Sequence, residues 1–129
     1  MKQDLIVLGG GTSGFIVAVG ALRLGLKVTL IEKKSRLGGL ALHTGCVPSK
    51  TFLHVAHMSH IVKNAQQYGI GGYLLPTELH KINKYVTGIA TNLETSESAE
   101  VQNIFQQLGG RIIYGSPKFI DDHTIEVND

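Results

Sequence analysis

Three things are scarce in this chain, and each scarcity narrows what it can do. Its 129 residues include one cysteine, Cys46, so no disulfide can form within the chain and dithiol chemistry is excluded on stoichiometry. Charge is sparse: 17% of residues are Asp, Glu, Lys or Arg, with a formal net charge of +2. No basic block is present of the kind that draws nucleic acid, and no nucleic-acid partner is expected. The third scarcity is of uninterrupted apolar sequence. Leu5 to Leu26 carries a single charge, Arg23, but four glycines fall within Gly9 to Gly14, and glycines at that density would strand backbone polar groups in lipid. Neither membrane insertion nor export is expected, and the plain reading is a cytoplasmic protein with one free thiol. With 43% hydrophobic residues, the length suits one small domain and is too short for two well-packed ones.

What is present is concentrated at the N-terminus. Asp4-Leu5-Ile6-Val7-Leu8 has the composition of a buried parallel strand and leads directly into Gly9-Gly10-Gly11-Thr12-Ser13-Gly14, a GxGxxG sequence. Phe15 to Leu24 reads as a largely buried helix that ends at Gly25, and Lys27 to Ile31 as a second strand ending in Glu32. In that context each residue type has a task. Gly9 permits the tight turn, Gly11 lets backbone approach a pyrophosphate, and Gly14 with Ala18 lets the helix pack close to the strands. The helix N-terminus offers free N–H groups and a positive dipole end to phosphates. Glu32 is placed to accept hydrogen bonds from both hydroxyls of an adenosine ribose, and an acid there disfavours a 2′-phosphate, which argues against NADP at this site. Lys33 and Lys34 read as a solvated pair, with Lys33 near the adenosine. The pattern by itself does not choose between FAD and NAD.

The stretch Gly38-Gly39-Leu40-Ala41-Leu42-His43-Thr44-Gly45-Cys46-Val47-Pro48-Ser49-Lys50 resembles GGxCxxxGCxPSK, the redox motif of the class I pyridine nucleotide-disulfide oxidoreductases, the family of dihydrolipoamide dehydrogenase, glutathione reductase and mercuric reductase. Ala41 stands where the first cysteine belongs. The resemblance implies FAD as cofactor and NAD(P)H as co-substrate of a full-length relative. It also implies Gly38 and Gly39 near the flavin pyrophosphate and ribitol, and a helix started by Gly45-Cys46 that runs along the flavin. Cys46 would lie under the ring and Lys50 near its N5 edge, which makes these two the candidate catalytic residues. Thr12 and Ser13 belong to the same glycine turn, and Gly115 and Ser116 match a family position that contacts adenine through backbone. Cys46 is open to two readings: a thiol working against the flavin, or an inert remnant of the redox pair.

The fold class so implied is α/β, a Rossmann-like FAD-binding βαβ unit with a parallel sheet, a long motif helix, a second helix and the start of a β-meander. Residues 1–129 would form a partial FAD/NAD(P)-binding domain, with the nicotinamide and dimerisation domains of the family absent. The resulting expectation is the N-terminal FAD-binding portion of a flavin-dependent NAD(P)H oxidoreductase, truncated, unable to form the redox disulfide and inactive alone. The alternative is a non-catalytic nucleotide-binding or interaction module derived from that fold. A homodimer or a complementing C-terminal half would supply the missing surface.

Further along, Pro48 suits a first helical turn, and Ser49 to Gln67 has a helical pattern whose broad apolar face predicts burial. Gly69 to Pro76 reads as irregular. A second helix is expected over about 77–108, polar from Thr91 to Glu100, with Gly88 as a point where it could break and Gly109-Gly110 as its stop. A third core strand from Arg111 and then a hairpin turning at Asp121 to His123 complete the chain. His54, His57 and His60 share one side of the motif helix at spacings of three, but no Cys or carboxylate joins them at ligand spacing, so no metal site is expected. His43 is by default a loop residue, with a substrate-side role as the other reading.

Overall fold

A computed structural model describes residues 2–127. The elements run β1 (Leu5–Leu8), α1 (Thr12–Arg23), β2 (Val28–Glu32), α2 (Gly39–His43), α3 (Cys46–Asn64) with a 3₁₀ turn over Ala65–Tyr68, α4 (Leu79–Gln107), β3 (Arg111–Tyr114), β4 (Pro117–Asp121) and β5 (Thr124–Val127). β1, β2 and β3 form a parallel sheet in that order, with Leu5 opposite Val28 and Leu30 opposite Ile112. Parallel neighbours need crossover connections, and α1 and the α2–α4 excursion provide them. The molecule is therefore α/β and Rossmann-like, as the glycine turn implied. β4 and β5 pair antiparallel as a separate hairpin, Lys118 opposite Glu126.

β2 lies between two partners, which explains its composition: all five residues of Val-Thr-Leu-Ile-Glu are buried. β1 differs from expectation. It sits at the sheet edge with Leu5, Ile6 and Val7 half-buried and Leu8 exposed, because no strand pairs with its outer side among the described residues. The core gathers Ala18 and Ala21 of α1, Val28 and Leu30 of β2, Leu37, and Phe105 of α4. Small residues on α1 let that helix lie close to the sheet, while Phe105 reaches in from the last turns of α4 and meets the Phe15 ring at a tilted centroid distance of 6.2 Å.

The helices carry three corrections. α1 is not largely buried: Ala18 and Ala21 are its buried residues, whereas Ile16 is 64% exposed. α3 has no buried residue, and Leu53 is 68% exposed. It leans on α2 and α4, and among the described residues Phe52, Leu53, Met58 and Ile61 of its apolar face stay exposed. α4 runs unbroken through Gly88, whose Cα faces open space. Buried Val86 and Ala90 on either side hold that turn in place, which outweighs a glycine penalty of about 1 kcal/mol. α3 starts at Cys46, where the resemblance places the start of the motif helix, and its regular turns stop at Asn64. Among the described residues no helix is long and apolar enough to cross a membrane.

Candidate cofactor site

Two glycine turns meet at the C-terminal ends of β1 and β2. The first closes when the Gly9 N–H donates to the Ile31 carbonyl at 2.7 Å, with Gly9 at φ +101°, a conformation L side chains rarely adopt. The second folds back onto it. The Gly38 N–H donates to the Gly10 carbonyl at 2.9 Å, and Gly11 and Gly38 form a parallel bridge. The backbones are so close that a Cβ on Gly39 would lie 2.7 Å from the Gly11 Cα. Gly14 serves the packing assigned to it, since a Cβ there would land on the Gly9 carbonyl oxygen.

Glu32 organises the junction. Its side chain is buried at the end of β2; Oε2 accepts the Gly10 N–H at 2.7 Å and Oε1 accepts the Lys34 N–H at 2.9 Å. Each oxygen keeps a further lone-pair direction for an incoming donor. The carboxylate thus braces the glycine turn as well as facing the cavity, a task the linear sequence did not show. The Glu32 carbonyl accepts the Gly115 N–H at 2.8 Å, which draws the end of β3 to the same corner. Burial, and secondarily the Glu32 charge, push the Tyr114 hydroxyl above its ordinary pKa of 10.0, and that hydroxyl donates to Gln102 Oε1 at 3.0 Å.

Two cavities flank this junction. The first, about 490 Å³, is lined by Leu8, Gly9, Gly11, Ile31, Glu32, Lys33, Lys34, Gly39, Leu40 and Pro117. The second, about 410 Å³, is lined by Thr12, Gly38, Ala41, Leu42, Cys46, Val47 and, from α4, Leu93, Glu97 and Val101. Of the expected site residues, Gly9, Gly11, Glu32, Lys33 and Gly39 come together in the first, and Thr12, Gly38 and Cys46 in the second. Ser13, Gly14, Gly45, Lys50, Gly115 and Ser116 line neither. Gly45 instead precedes α3, its N–H donating to the Leu40 carbonyl at 2.7 Å. Cys46 and Lys50 are exposed on the first turns of α3. Between the two cavities stands the N-terminus of α1, where Gly11 is the cap residue, no side chain caps the helix and no acid occupies its first turn.

This arrangement fits a dinucleotide. An uncapped helix start has N–H groups for phosphate oxygens, a buried acid in the first cavity has lone pairs for hydroxyls, and both cavities are within the range of small-molecule sites. Among the described residues no group of three His, Cys, Asp or Glu side chains could hold a metal ion.

Sequence reasoning missed α2 and the grip of α4 on the segment before it. Buried Ser98 Oγ accepts the Leu37 N–H at 2.9 Å. Arg36 donates to Thr95 Oγ1 at 3.3 Å and pairs with Glu94 at 3.6 Å. His43, expected as a loop residue, ends α2 with its side chain 7% exposed and Nδ1 at 3.0 Å from Glu94. The signal available was the polar run from Thr91 to Glu100, which in an otherwise amphipathic helix asks for partners.

A family model described as FAD dependent oxidoreductase matches residues 4–108. Dihydrolipoyl dehydrogenase 1, mitochondrial, of Arabidopsis thaliana is 32% identical over 127 residues, an alignment covering 98% of this chain and 24% of that protein. Leghemoglobin reductase of Glycine max is 50% identical over 132 residues, with coverage of 98% and 24%. Dihydrolipoyl dehydrogenase of Staphylococcus aureus is 29% identical over 129 residues, with coverage of 100% and 26%. The chain therefore spans about a quarter of the length of the curated relatives it matches.

Proposed function

The chain belongs to the FAD dependent oxidoreductase family, and from that premise we propose that its 129 residues form a partial FAD-binding domain of a dihydrolipoyl dehydrogenase-like oxidoreductase working with NAD(P)H, in a version that lacks the redox disulfide. The observation that carries this reading is Glu32, buried, braced against the glycine turn by both carboxylate oxygens and lining the first cavity. Its carboxylate takes the adenosine ribose hydroxyls, and Gly115 and Ser116, drawn to that corner by β3, face the adenine. The pyrophosphate rests on the first N–H groups of α1, at Thr12 and Ser13, where Gly9, Gly11 and Gly39 allow backbone to come close. The second cavity takes the flavin side, between Gly38 and the start of α3. Bound FAD supplies two-electron transfer between a nicotinamide and an acceptor.

Cys46 and Ala41 both line that second cavity, so the chain offers a single thiol and no dithiol there, and the acceptor is one that does not exchange with a disulfide. The name of the Glycine max relative gives that protein leghemoglobin as its acceptor, and an acceptor that is not a disulfide is the one proposed for this chain. Lys50, exposed on α3, contributes a cation near the flavin edge. The uncovered apolar face of α3 and the outer edge of β1 support a protein partner, either a second copy or polypeptide corresponding to the remaining three quarters of the relatives. A cytoplasmic setting suits the free thiol. The 129 residues taken by themselves, about a quarter of the relatives' length, turn over NAD(P)H little or not at all. Calorimetric titration with FAD, NAD and NADP is the test: FAD binding tightest and NADP weakest supports the reading, and NAD binding with FAD excluded overturns it in favour of a nucleotide-binding module.

A further inference from the structure

α2 is a shared wall. Gly39 and Leu40 face the first cavity while Gly38, Ala41 and Leu42 face the second, so any shift of this five-residue helix changes both at once. A helix this short cannot hold itself together in isolation. Its two ends are tied to α4 by side chains on one stretch of that helix. Before α2, Ser98 and Thr95 hold Leu37 and Arg36; at its last residue, Glu94 holds His43 at 3.0 Å and also pairs with Arg36 at 3.6 Å. Glu94 therefore bridges both flanks.

We propose that the Arg36–Glu94–His43 cluster is a clamp that sets the position of the wall common to both cavities, with His43 as its positioning residue; the consequence for FAD rests on the function proposed above. The ring itself argues for this role. Glu94 is an acceptor at Nδ1, which places the proton on Nδ1 and leaves Nε2 as a bare acceptor in the neutral tautomer. Nε2 is buried and has no partner among the described residues. An unmatched buried nitrogen is unfavourable, so what keeps the ring inside is the Nδ1–Glu94 bond and not anything at Nε2. The side chain acts through α2, on which it sits, and lines neither cavity itself.

Asparagine and glutamine separate the two nitrogens, since an Asn amide reaches the place of Nδ1 and a Gln amide that of Nε2. Backbone amide exchange over residues 40–44 is measured without cofactor in the unmodified chain, His43→Asn, His43→Gln and Glu94→Ala, together with the FAD dissociation constant of each. His43→Asn is expected to match the unmodified chain. His43→Gln and Glu94→Ala are expected to exchange about tenfold faster, the size of one partly buried charge-assisted hydrogen bond, and to bind FAD several-fold more weakly. Arg36→Ala, exposed and outside both cavities, gives a smaller change in the same direction and serves if Glu94→Ala does not fold. Rescue by Gln in place of Asn would move the role to Nε2 and overturn the clamp, as would unchanged exchange in all variants or faster exchange with unchanged FAD affinity. Should the unmodified chain fail to bind FAD, the exchange rates still decide whether the clamp holds α2, and the failure counts against the cofactor reading alone.

Discussion

Replacing Glu32 by glutamine keeps the shape of the side chain and removes its charge, which makes it a direct probe of the corner where fold and site coincide. The carboxylate holds two backbone N–H groups, Gly10 at 2.7 Å in the buried interior and Lys34 at 2.9 Å in a partly buried position. A glutamine can present its oxygen to only one of them, and the buried Gly10 N–H has the greater claim because water cannot replace the lost acceptor. That bond then falls from the charged range of about 1.5–3 kcal/mol to the neutral range of about 0.5–1.5 kcal/mol, while the amide NH2 now faces the Lys34 N–H, donor against donor. The fall at Gly10 is about 1–1.5 kcal/mol, and loss of the partly buried Lys34 bond, which water offsets in part, adds about 0.5–1.5 kcal/mol; the sum is roughly 1.5–3 kcal/mol of stability, or on the order of 5–12 °C in melting temperature for a domain of this size. FAD affinity falls as well, by about 10- to 100-fold, because the ribose hydroxyls lose an anionic acceptor and the glycine turn loses its brace. Thermal denaturation followed by circular dichroism and fluorescence titration with FAD read the two effects separately. A Glu32→Gln protein that melts within 2 °C of the unmodified chain, a margin worth roughly 0.5 kcal/mol here, and binds FAD equally well would mean that the Glu32 charge neither braces the turn nor holds the ribose.

Other substitutions address the remaining contacts. Gly39→Ala puts a methyl 2.7 Å from the Gly11 Cα at φ +61°; strain and overpacking together are expected to cost about 2–4 kcal/mol, measured by urea unfolding. Ala41→Cys places a second thiol on the cavity that Cys46 lines, and under oxidation both thiols are expected to disappear from a thiol titration run on the unfolded protein; two titratable thiols after oxidation would contradict the placement of these residues. Asp121 accepts the His123 N–H at 2.8 Å in the hairpin turn, and that bond, with help from Thr124, holds its carboxyl below the ordinary 3.8. A depressed carboxylate gives its contribution above 3.8 and loses it as pH falls through the folded-state value. The His123 amide resonance should therefore titrate in that acid window, and Asp121→Asn should abolish the titration.

Much of the site was legible because the information is local. The strand, glycine turn, helix and strand of residues 4–32 each carry their own period or punctuation, and the structure sets them within one to three residues of where periodicity puts them. The place of Glu32 at the end of β2 could be read from its spacing to the turn. What escaped was non-local. α2 is five residues with no hydrophobic period of its own, and it exists because Gly38 and Gly39 turn the chain against Gly11. The contacts of Arg36, Leu37 and His43 with α4 span 51 to 61 residues, and nothing at either end announces the other. Composition misleads in the opposite direction: the apolar positions of α1 and α3 predict burial, yet Ile16 and Leu53 face outward, because an apolar face says that something is to be covered and not whether the chain itself supplies the cover. Gly88 shows the same limit, since buried neighbours carried the helix past a residue that favours ending it.

One FAD held across the two cavities beside the start of α1 would be seen in the visible absorption of the purified chain after incubation with FAD and gel filtration. Flavin absorbance is expected to elute with the protein at one equivalent and to fall sharply in Glu32→Gln. Protein that elutes colourless at FAD concentrations sufficient to saturate a micromolar site would contradict it.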